Sequence, residues 1–523
     1  MKGTSLSLLV GVGMMLSQAQ ATAQSFPTDD PVIKAIWQEG MVNSQAYNIA
    51  QVMMDSIGPR LSGSPALKAA NEWAVMKFEE WGIPASNEQY GTWMSWRRGI
   101  SHVDLIQPWV RSLTGMMLAW SPGTDGKVEG PVVAMPEFEN KQAFDAWLPT
   151  VEGKFVLTSM YQPTCRPNTS WEEHGTEESF EKMSAARDTA RNSWSAKSRA
   201  LRTALGSSVD LALEEAGALG LFSSSWAGGW GATRIFSAST ERIPAFSLTC
   251  EDYGLLHRLA QNGQGPVVRV EAEAENLGVQ PIFNTIAEIR GSERPDEYIL
   301  FSAHFDSWDG GTGATDNGTG SVIMMEAARI LKTVYPNPKR TIIIGLWGAE
   351  EQGLIGSRAF AEQHPEVLQG LQAVFNQDNG TGRVARVSMQ GLTGASPHFA
   401  NWLSAVPRDI TRHISLDFPG TPGGGGSDYA SFICGGAPTF SLSSLSFDYG
   451  YTWHTNYDTL DKIVFDDVMN NATLTAMLAY MASEDPETVS RDQRVMPVNP
   501  RTGEQMTWPV CRSPRTWEEY RGR

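Results

Sequence analysis

Two apolar stretches of the chain, residues 298–301 and 341–347, lead into side chains of the kind that bind metal ions. Both stretches are typical of buried strands. Open α/β sheets bind ligands at the carboxyl ends of their strands, so these side chains are expected to meet at one edge of a sheet. The candidate residues in this part of the chain are His304, Asp306, Asp316, Glu350 and Glu351.

Asp316 lies in a glycine-rich loop, residues 310–320, which has little side-chain bulk. A carboxylate in such a loop can approach an ion closely. The competing interpretation is a glycine loop that cradles a phosphate. That interpretation is disfavoured because the loop has no lysine and because its acidic side chain would repel a phosphate. The sequence therefore favours Asp316 as a metal ligand shared between two ions.

Glu350 and Glu351 are adjacent carboxylates at the end of the most apolar strand candidate. Burying two neighbouring negative charges without partners is costly. The cost is lowered if one carboxylate binds a metal and the other carries a proton, and a residue beside a ligand is well placed to reach an attacking water. The alternative is a solvated acidic turn.

Two further candidate ligands lie nearer the C-terminus. Asp378 follows another apolar run, residues 371–376, and His454 precedes a helical pattern over residues 465–484. Ligands that offer only nitrogen and oxygen, with no cysteine, suit zinc, with Co²⁺ or Mn²⁺ as substitutes. Two ions that share one carboxylate suit the hydrolysis of an amide.

Each candidate histidine has an aspartate close by in sequence. Asp306 is two residues after His304, and Asp458 is four residues after His454. A carboxylate that accepts a hydrogen bond from a metal-binding imidazole fixes its orientation and tautomer. Asp306 and Asp458 are therefore predicted to orient the two imidazole rings.

The composition excludes several classes of protein. The chain has 523 residues, of which 41% are hydrophobic and 19% charged, so it is globular and long enough for two or three domains. Its net charge of −17 argues against binding to nucleic acid, whose phosphates it would repel.

The N-terminal segment, residues 1–23, has the pattern of a secretory signal peptide. Lys2 precedes an apolar run over residues 6–16, and a small-x-small cleavage pattern ends at Ala23. The protein is therefore expected to be exported, either periplasmic or secreted, and to have no membrane association after cleavage. The alternative is an uncleaved anchor.

An exported protein can keep disulfide bonds, and the chain has four cysteines with no CxxC pair. Three pairings are possible. The pairing of Cys165 with Cys250 and of Cys434 with Cys511 would keep each bridge within one region of the chain.

Strand and helix patterns alternate from residue 267 onward. This alternation predicts an α/β fold with a mostly parallel central sheet flanked by helices on both faces. The composition changes near residue 122, and an inserted β-rich domain is expected there, although the block could also continue the same domain. The predicted organisation is a signal peptide at 1–23, a main domain in two parts at 31–120 and 273–485, the insertion at 121–272 and a tail at 486–523.

The order and approximate spacing of these candidate ligands resemble those of the M28 family of co-catalytic zinc peptidases. The likeness is strongest to the carboxypeptidase Q-like dipeptidases, on the His304-Phe-Asp-Ser-Trp-Asp and Trp347-Gly-Ala-Glu-Glu-Gln-Gly motifs. The loop at residues 57–65 resembles the N-terminal segment of that family. The block at 121–272 resembles a protease-associated domain inserted in the zinc exopeptidase fold.

The resemblance implies a role for each residue. One zinc would be held by His304, Asp316 and Asp378, and the other by Asp316, Glu351 and His454. A hydroxide that bridges the ions would attack the scissile carbonyl, and Glu350 would act as general base and then general acid. Tyr429 is a candidate donor to the oxyanion.

The implied activity is that of an exopeptidase acting on short peptides or dipeptides. One alternative is a glutaminyl-cyclase-like acyltransferase, which uses one zinc, and another is a receptor-like relative without catalysis. The sequence does not decide between aminopeptidase, carboxypeptidase and dipeptidase, and it leaves a homodimer open.

Overall fold

A single large β-sheet organises the protein in the computed structural model, which describes residues 24–522. Its fourteen strands are β1 (Ala85–Gln107), β2 (Arg111–Ser112), β3 (Gly115–Met117), β4 (Val128–Ala134), β5 (Phe155–Leu157), β6 (Gly220–Ser223), β7 (Ala245–Leu248), β8 (Val267–Ile289), β9 (Arg294–His304), β10 (Arg340–Trp347), β11 (Leu371–Asn376), β12 (Val384–Ser388), β13 (Ser415–Asp417) and β14 (Thr439–Ser444).

The α-helices alternate with the strands along most of the chain. They are α1 (Pro31–Trp37), α2 (Ala46–Gln51), α3 (Pro65–Glu80), α4 (Lys141–Trp147), α5 (Asn168–His174), α6 (Glu177–Leu205), α7 (Val209–Glu215), α8 (Cys250–Gln261), α9 (Thr319–Val334), α10 (Ile355–Gln363), α11 (Pro365–Gly370), α12 (Ala395–Ser404), α13 (Arg408–Thr411), α14 (Ala430–Ile433), α15 (Phe465–Glu484) and α16 (Trp517–Arg521).

The strand order is β13-β12-β14-β11-β9-β10-β8-β4-β5-β6-β7-β3. The four central strands β14, β11, β9 and β10 are parallel to one another. Antiparallel strands adjoin them on both sides, β12 next to β14 and β8 next to β10. The sheet is therefore mixed, and parallel pairs form its centre and recur towards its two ends, at β12–β13 and from β4 to β7.

Helices cover both faces of the central strands. Successive side chains of a strand point to opposite faces, so neighbouring residues of β9 pack into two different cores. Ile299 and Phe301 of β9 pack into a large core that also contains buried residues of α1, α2, α3, α9, α12 and α15. Leu300 between them packs on the other face, with Phe360 of α10 and Phe432 of α14. Every residue of β10 is buried, which explains its nearly continuous apolar sequence.

The long strands β1 and β8 form an antiparallel ribbon, and β8 also pairs with β4. This pairing joins the strands of the predicted insertion to the central sheet. A separate hydrophobic core lies among residues 135–245, between the short parallel strands β5 and β6 and the helices α4, α6 and α7. The strand β8 crosses the predicted boundary at residue 272.

The two disulfide bonds have the favoured pairing, although the second one joins the main domain to the predicted tail. Cys165 is bonded to Cys250, and Cys434 is bonded to Cys511. The predicted signal peptide at 1–23 lies outside the described residues. Among residues 24–522, no helix has the length and apolar character needed to cross a membrane.

Candidate metal centre

Three adjacent parallel strands deliver four of the candidate residues to one edge of the sheet. His304 is the last residue of β9, and Asp378 lies two residues beyond the end of β11. Glu350 and Glu351 lie in the turn between β10 and α10. Because β9 lies between β11 and β10, the histidine stands between the two acidic segments.

Loops bring the remaining two candidate ligands to the same edge. Asp316 lies in the short segment Ala314–Gly318 that leads into α9, and its own backbone is extended, with a φ of −128° and a ψ of 95°. His454 lies between the 3₁₀ turn Tyr449–Tyr451 and α15, with a φ of 60°. The structure therefore brings together all six residues that the sequence singled out as ligands or as proton carrier.

The ligand atoms form two groups that share Asp316. In the first group, Nε2 of His304 lies 3.3 Å from Oδ1 of Asp316 and 3.2 Å from Oδ1 of Asp378. In the second group, Nε2 of His454 lies 3.0 Å from Oδ2 of Asp316 and 3.0 Å from Oε2 of Glu351. The three ligand atoms of each group all lie within 4.8 Å of one another.

These spacings fit tetrahedral zinc. Ligand atoms about 2.0–2.1 Å from one ion in a tetrahedral arrangement lie about 3.3 Å apart. The donors are imidazole nitrogen and carboxylate oxygen, which zinc accepts readily. Oε1 of Glu351 is also buried without a hydrogen-bond partner, which is costly unless another group satisfies it. The residues present are therefore suited to hold zinc in both groups.

The electrostatics of this cluster are those of carboxylates and histidines crowded into a buried space. Burial would lower the pKa of His304, but the charges of Asp378 and Glu350 raise it well above its usual value. Burial also raises the pKa of Glu350 well above its ordinary range, and it raises that of Glu351 to about 7. Cations at this site would favour the ionised form of these carboxylates.

Glu350 belongs to neither group of ligand atoms, although Glu351 belongs to one of them. The backbone carbonyl of Glu350 accepts hydrogen bonds from the N–H groups of Gly353 and Leu354, at 2.7 and 2.8 Å. This turn starts α10. The Glu350 carboxylate is outside both ligand groups, and its charge acts on His304 of the first group.

Asp306 does not hold His304 in the way the sequence predicts. Nδ1 of His304 lies 3.0 Å from the backbone carbonyl oxygen of Asp306, whereas the nearest carboxylate oxygen is 3.7 Å away. The carboxylate instead accepts hydrogen bonds from the backbone N–H groups of Glu350 and Glu351 and from the hydroxyl of Ser62. These closer donors determine its orientation, and Asp306 holds the acidic turn in place.

Asp458 likewise does not orient His454. Its carboxylate accepts the backbone N–H of Thr315 at 2.7 Å, the hydroxyl of Thr315 at 2.8 Å and the backbone N–H of Asp316 at 3.0 Å. Nδ1 of His454 has no hydrogen-bond partner in the described part of the chain. The prediction is corrected, because three donors of the Asp316 loop occupy the Asp458 carboxylate.

Aromatic packing orients the His454 ring instead. The ring stacks on Trp453 with centroids 3.8 Å apart, and it lies 5.2 Å from Phe236 and 6.0 Å from Trp308. Phe236 belongs to the predicted insertion, so residues from that block reach the candidate centre.

Sequence reasoning missed the part played by Arg60, which is fully buried. Its guanidinium group donates to the backbone carbonyls of Phe305, Thr312 and Gly313 at 2.7–3.0 Å. Burial lowers the pKa of Arg60 to about 10, against the opposing effect of the nearby charges of Asp458, Asp306 and Asp316. The arginine lies in the loop at 57–65. The resemblance of this loop to the N-terminal segment of the M28 family is the sequence feature that could have pointed to Arg60.

Tyr429, the candidate oxyanion donor, lies near the centre with its hydroxyl already engaged. The hydroxyl donates to the carbonyl oxygen of Gly425 at 2.6 Å. Burial raises the pKa of Tyr429, and the charges of Asp378 and Glu350 add to this effect. Its neighbour Asp428 is fully buried, and burial raises the pKa of that carboxyl to about 7.

The chain is similar to known peptidases. The model of peptidase family M28 matches residues 284–479. Carboxypeptidase Q from Mus musculus is 26% identical over 454 residues, which cover 86% of this chain and 88% of the relative. Aminopeptidase NAALADL1 from Rattus norvegicus is 32% identical over 254 residues, which cover 42% of this chain and 33% of the relative.

Solved structures resemble the chain over most of its length. The crystal structure of a peptidase M28 precursor from Shewanella amazonensis SB2B has a TM-score of 0.64 and 26% identity, and the match covers 88% of this chain and 97% of that one. The zinc aminopeptidase BSAP from Bacillus subtilis has a TM-score of 0.54 at 18% identity, with 86% and 97% covered. The second likeness concerns the fold alone.

Proposed function

We propose that this chain, whose residues 284–479 match the model of peptidase family M28, is a two-zinc exopeptidase that hydrolyses short peptides or dipeptides. The observation that carries this proposal is the pair of ligand groups that share Asp316, with Glu350 beside them and in neither. A single-zinc enzyme has no need for the second group, and a binding module has no need for the free carboxylate.

The two groups define which residues would hold each ion. His304 and Asp378 would hold one zinc and Glu351 and His454 the other, with Asp316 shared by both. Zinc bound there would supply Lewis acidity, which polarises a peptide carbonyl and lowers the pKa of a water.

Glu350 is the residue assigned to proton transfer. Its carboxylate is in neither ligand group, so it is free to accept a proton from the attacking water and to donate it to the leaving amine. Its backbone N–H donates to Asp306 at 3.0 Å, and its carbonyl is held by the first turn of α10. These contacts fix the backbone from which the carboxylate reaches the scissile bond.

Three buried residues hold the backbone of the segments that carry the proposed ligands. Asp306 holds the Glu350–Glu351 turn, Asp458 holds the backbone at Asp316, and Arg60 holds the loop after His304. Such support limits the movement of catalytic groups, to which rates are sensitive.

The other parts of the proposal concern localisation and domains. We propose that residues 121–272 form a protease-associated domain inserted in the peptidase domain of 31–120 and 273–485. Their separate hydrophobic core supports this division. We also propose export with removal of residues 1–23, and the two disulfide bonds are consistent with an oxidising compartment.

The test combines metal analysis with a peptide panel. The purified chain, dialysed against buffer with a low fixed concentration of free zinc, is expected to retain two zinc ions per chain. It is then assayed on dipeptides and on longer peptides with blocked or free termini. Hydrolysis that requires a free terminus supports the proposal.

The alternatives give different outcomes in the same experiment. One zinc per chain, with cyclisation of N-terminal glutamine and no hydrolysis, would favour the glutaminyl-cyclase-like acyltransferase. A folded chain that binds no zinc and cleaves no peptide would favour the receptor-like relative.

A further inference from the structure

A cavity of about 500 Å³ lies at the junction of the predicted insertion and the loop that carries His454. Most of its wall belongs to residues 160–234 of the insertion, and Tyr451 completes it from the loop. None of the proposed metal ligands lines the cavity, so it is separate from the metal centre. The charged residues in this wall are three arginines and one aspartate: Arg187, Arg191, Arg234 and Asp188.

Trp226 brings two of these arginines together. The guanidinium carbon of Arg187 lies 4.7 Å from the centre of the Trp226 ring, and Arg234 donates to the backbone carbonyl oxygen of Trp226 at 3.1 Å. The third arginine, Arg191, forms an ion pair with Asp188, so these two charges cancel. The wall of the cavity therefore keeps the two positive charges of Arg187 and Arg234.

No carboxylate in the described part of the chain neutralises either charge. Within residues 24–522, Arg187 and Arg234 form no ion pair, and they donate only to neutral oxygens, which are backbone carbonyls and the side-chain amide of Asn168. Nε of each guanidinium group is buried without a hydrogen-bond partner there. Burial lowers the pKa of both arginines, because a charge that leaves water without a partner is destabilised. Both groups thus keep a positive charge and unused N–H donors at the cavity.

Arg234 also links the cavity to the metal centre. Its guanidinium carbon lies 5.4 Å from the centre of the Trp453 ring, which stacks on the imidazole of His454. The backbone N–H of the next residue, Ile235, donates to the carbonyl oxygen of His454 at 2.8 Å. A ligand that fixes Arg234 would therefore stabilise the segment that carries one of the proposed zinc ligands.

We propose that Arg187 and Arg234 bind a dianionic oxyanion of the phosphate type in this cavity, either as the free ion or as the terminal group of a phosphate monoester. The two positive charges without a counter-charge match the two negative charges of such an anion. Guanidinium groups donate pairs of parallel N–H···O bonds to its oxygens, and these charge-assisted bonds are stronger than neutral ones. The cavity is also within the size range of sites for small ligands. This inference goes beyond the proposed peptidase activity and does not depend on it.

Binding is measured on the zinc-loaded wild type by isothermal titration calorimetry with sodium phosphate, sodium sulfate and phenyl phosphate, in a chloride buffer of constant ionic strength. We expect one dianion per chain at this site, with a dissociation constant of about 1 mM or lower. The melting temperature should rise with the concentration of the anion, because a ligand that binds only the folded state stabilises it. Tighter binding of phenyl phosphate than of phosphate identifies the monoester as the ligand, and equal or weaker binding identifies the free ion.

The double variant Arg187→Gln, Arg234→Gln is expected to lose at least about tenfold in affinity for each anion, because glutamine carries no charge. Arg199→Gln, at an exposed arginine of the same helix α6 that carries Arg187, is the matched control and should bind as the wild type does. An oxyanion held by the zinc ions would remain bound in the double variant, so only the binding that this variant loses belongs to the cavity. Melting temperature and zinc content verify that each variant is folded.

The outcomes decide between an anion site and a purely structural role, in which the two arginines only hold backbone carbonyls. Equal affinities of the wild type and the double variant would overturn the inference, as would no binding to the wild type at about 20 mM sulfate, far above the expected dissociation constant. If the double variant is unstable, the arginine reagent phenylglyoxal is applied to the wild type and its products are located by peptide mapping. Sulfate should then slow the modification of Arg187 and Arg234 but not that of Arg199, and the absence of this protection would overturn the inference. Peptide hydrolysis by the same preparations tests the proposed function separately.

Discussion

The carboxylate of Asp306 accepts a hydrogen bond from the backbone N–H of Glu350 at 3.0 Å. A buried acid thus holds the backbone of the residue assigned to proton transfer. The same carboxylate accepts the N–H of Glu351 at 3.3 Å, so one side chain fixes both members of the acidic pair. The position of Glu350 relative to the ligands depends on this contact.

Asp306→Asn is expected to lower kcat/KM by about 10- to 100-fold, the usual effect of removing a group that supports a metal centre. The amide that replaces the carboxylate accepts at only one of its two ends, so one N–H of the acidic turn loses its partner. Steady-state kinetics and zinc content measure the effect. Asp125→Asn, at an exposed position, is the control, and an Asp306→Asn enzyme with wild-type kinetics would contradict this role.

Asp458→Asn is expected to affect both zinc ions, because Asp458 holds the backbone of the shared ligand Asp316. Zinc affinity should fall by about 10- to 100-fold at both sites, whereas Asp306→Asn should weaken mainly the site that contains Glu351. Competition between the protein and a zinc chelator measures the two affinities. Loss of only one zinc from Asp458→Asn would show that this aspartate does not act through Asp316.

The ligand set could be predicted because each ligand follows a local pattern. His304, Asp378 and the Glu350–Glu351 pair each follow a buried apolar strand, and parallel strands bring such ends together. The partners of Asp306 could not be predicted in this way. Its nearness in sequence to His304 suggests the imidazole, but the turn 44 residues away provides better-placed donors.

The contacts of Arg60 and of the C-terminal tail could not be predicted from local sequence patterns either. The hydrogen bond from Arg60 to Phe305 joins residues 245 positions apart, and no periodicity signals it. The sequence of the tail at 486–523 has no regular pattern, and the anchors at Cys511 and Arg515 place the tail beside the Glu350–Glu351 turn. Such contacts depend on tertiary structure that local spacing does not encode.

Arg60→Lys is expected to destabilise the protein by roughly 3 kcal/mol or more and to weaken zinc binding. A lysine has its donors at one point, so it cannot reach the carbonyls of Phe305, Thr312 and Gly313 together, and buried carbonyls without donors are costly. Thermal unfolding with and without zinc measures the loss. Arg97→Lys, at an exposed arginine, controls for the change itself, and equal stabilities of the two variants would contradict the role of Arg60.

Asp485, at the end of α15, is expected to contribute a stability that depends on pH. Burial would raise its pKa, but hydrogen bonds from His398, the backbone N–H of Glu487 and the indole of Trp402 hold it below the usual value. A lowered pKa in the folded state stabilises the protein fully above about pH 4, and this stability is lost as the pH falls through the folded pKa.

Asp485→Asn should therefore lower the melting temperature at pH 7 and have a smaller effect near pH 3, because pH 3 is below the unfolded pKa of about 3.9 and the charge there contributes less to stability. Melting curves of the wild type and the variant between pH 3 and pH 7 test this difference. Asp409→Asn, at an exposed aspartate, should shift the curves little at either pH. If the variant lowers the melting temperature equally at pH 3 and pH 7, the effect is due to packing rather than to the charge.

Glu350→Gln separates proton transfer from metal binding more directly than any other change. Glutamine keeps the size of the side chain and cannot accept the proton, so kcat should fall by at least about 100-fold while two zinc ions remain bound. Glu351→Gln should instead lose zinc from the group that contains His454, because Glu351 supplies one of its ligand atoms. Zinc content and single-turnover rates measured on both variants distinguish the two roles, with the exposed Glu362→Gln as control. A Glu350→Gln enzyme that keeps more than a small fraction of wild-type turnover, or one that loses its zinc, would show that the two neighbouring carboxylates do not divide these tasks.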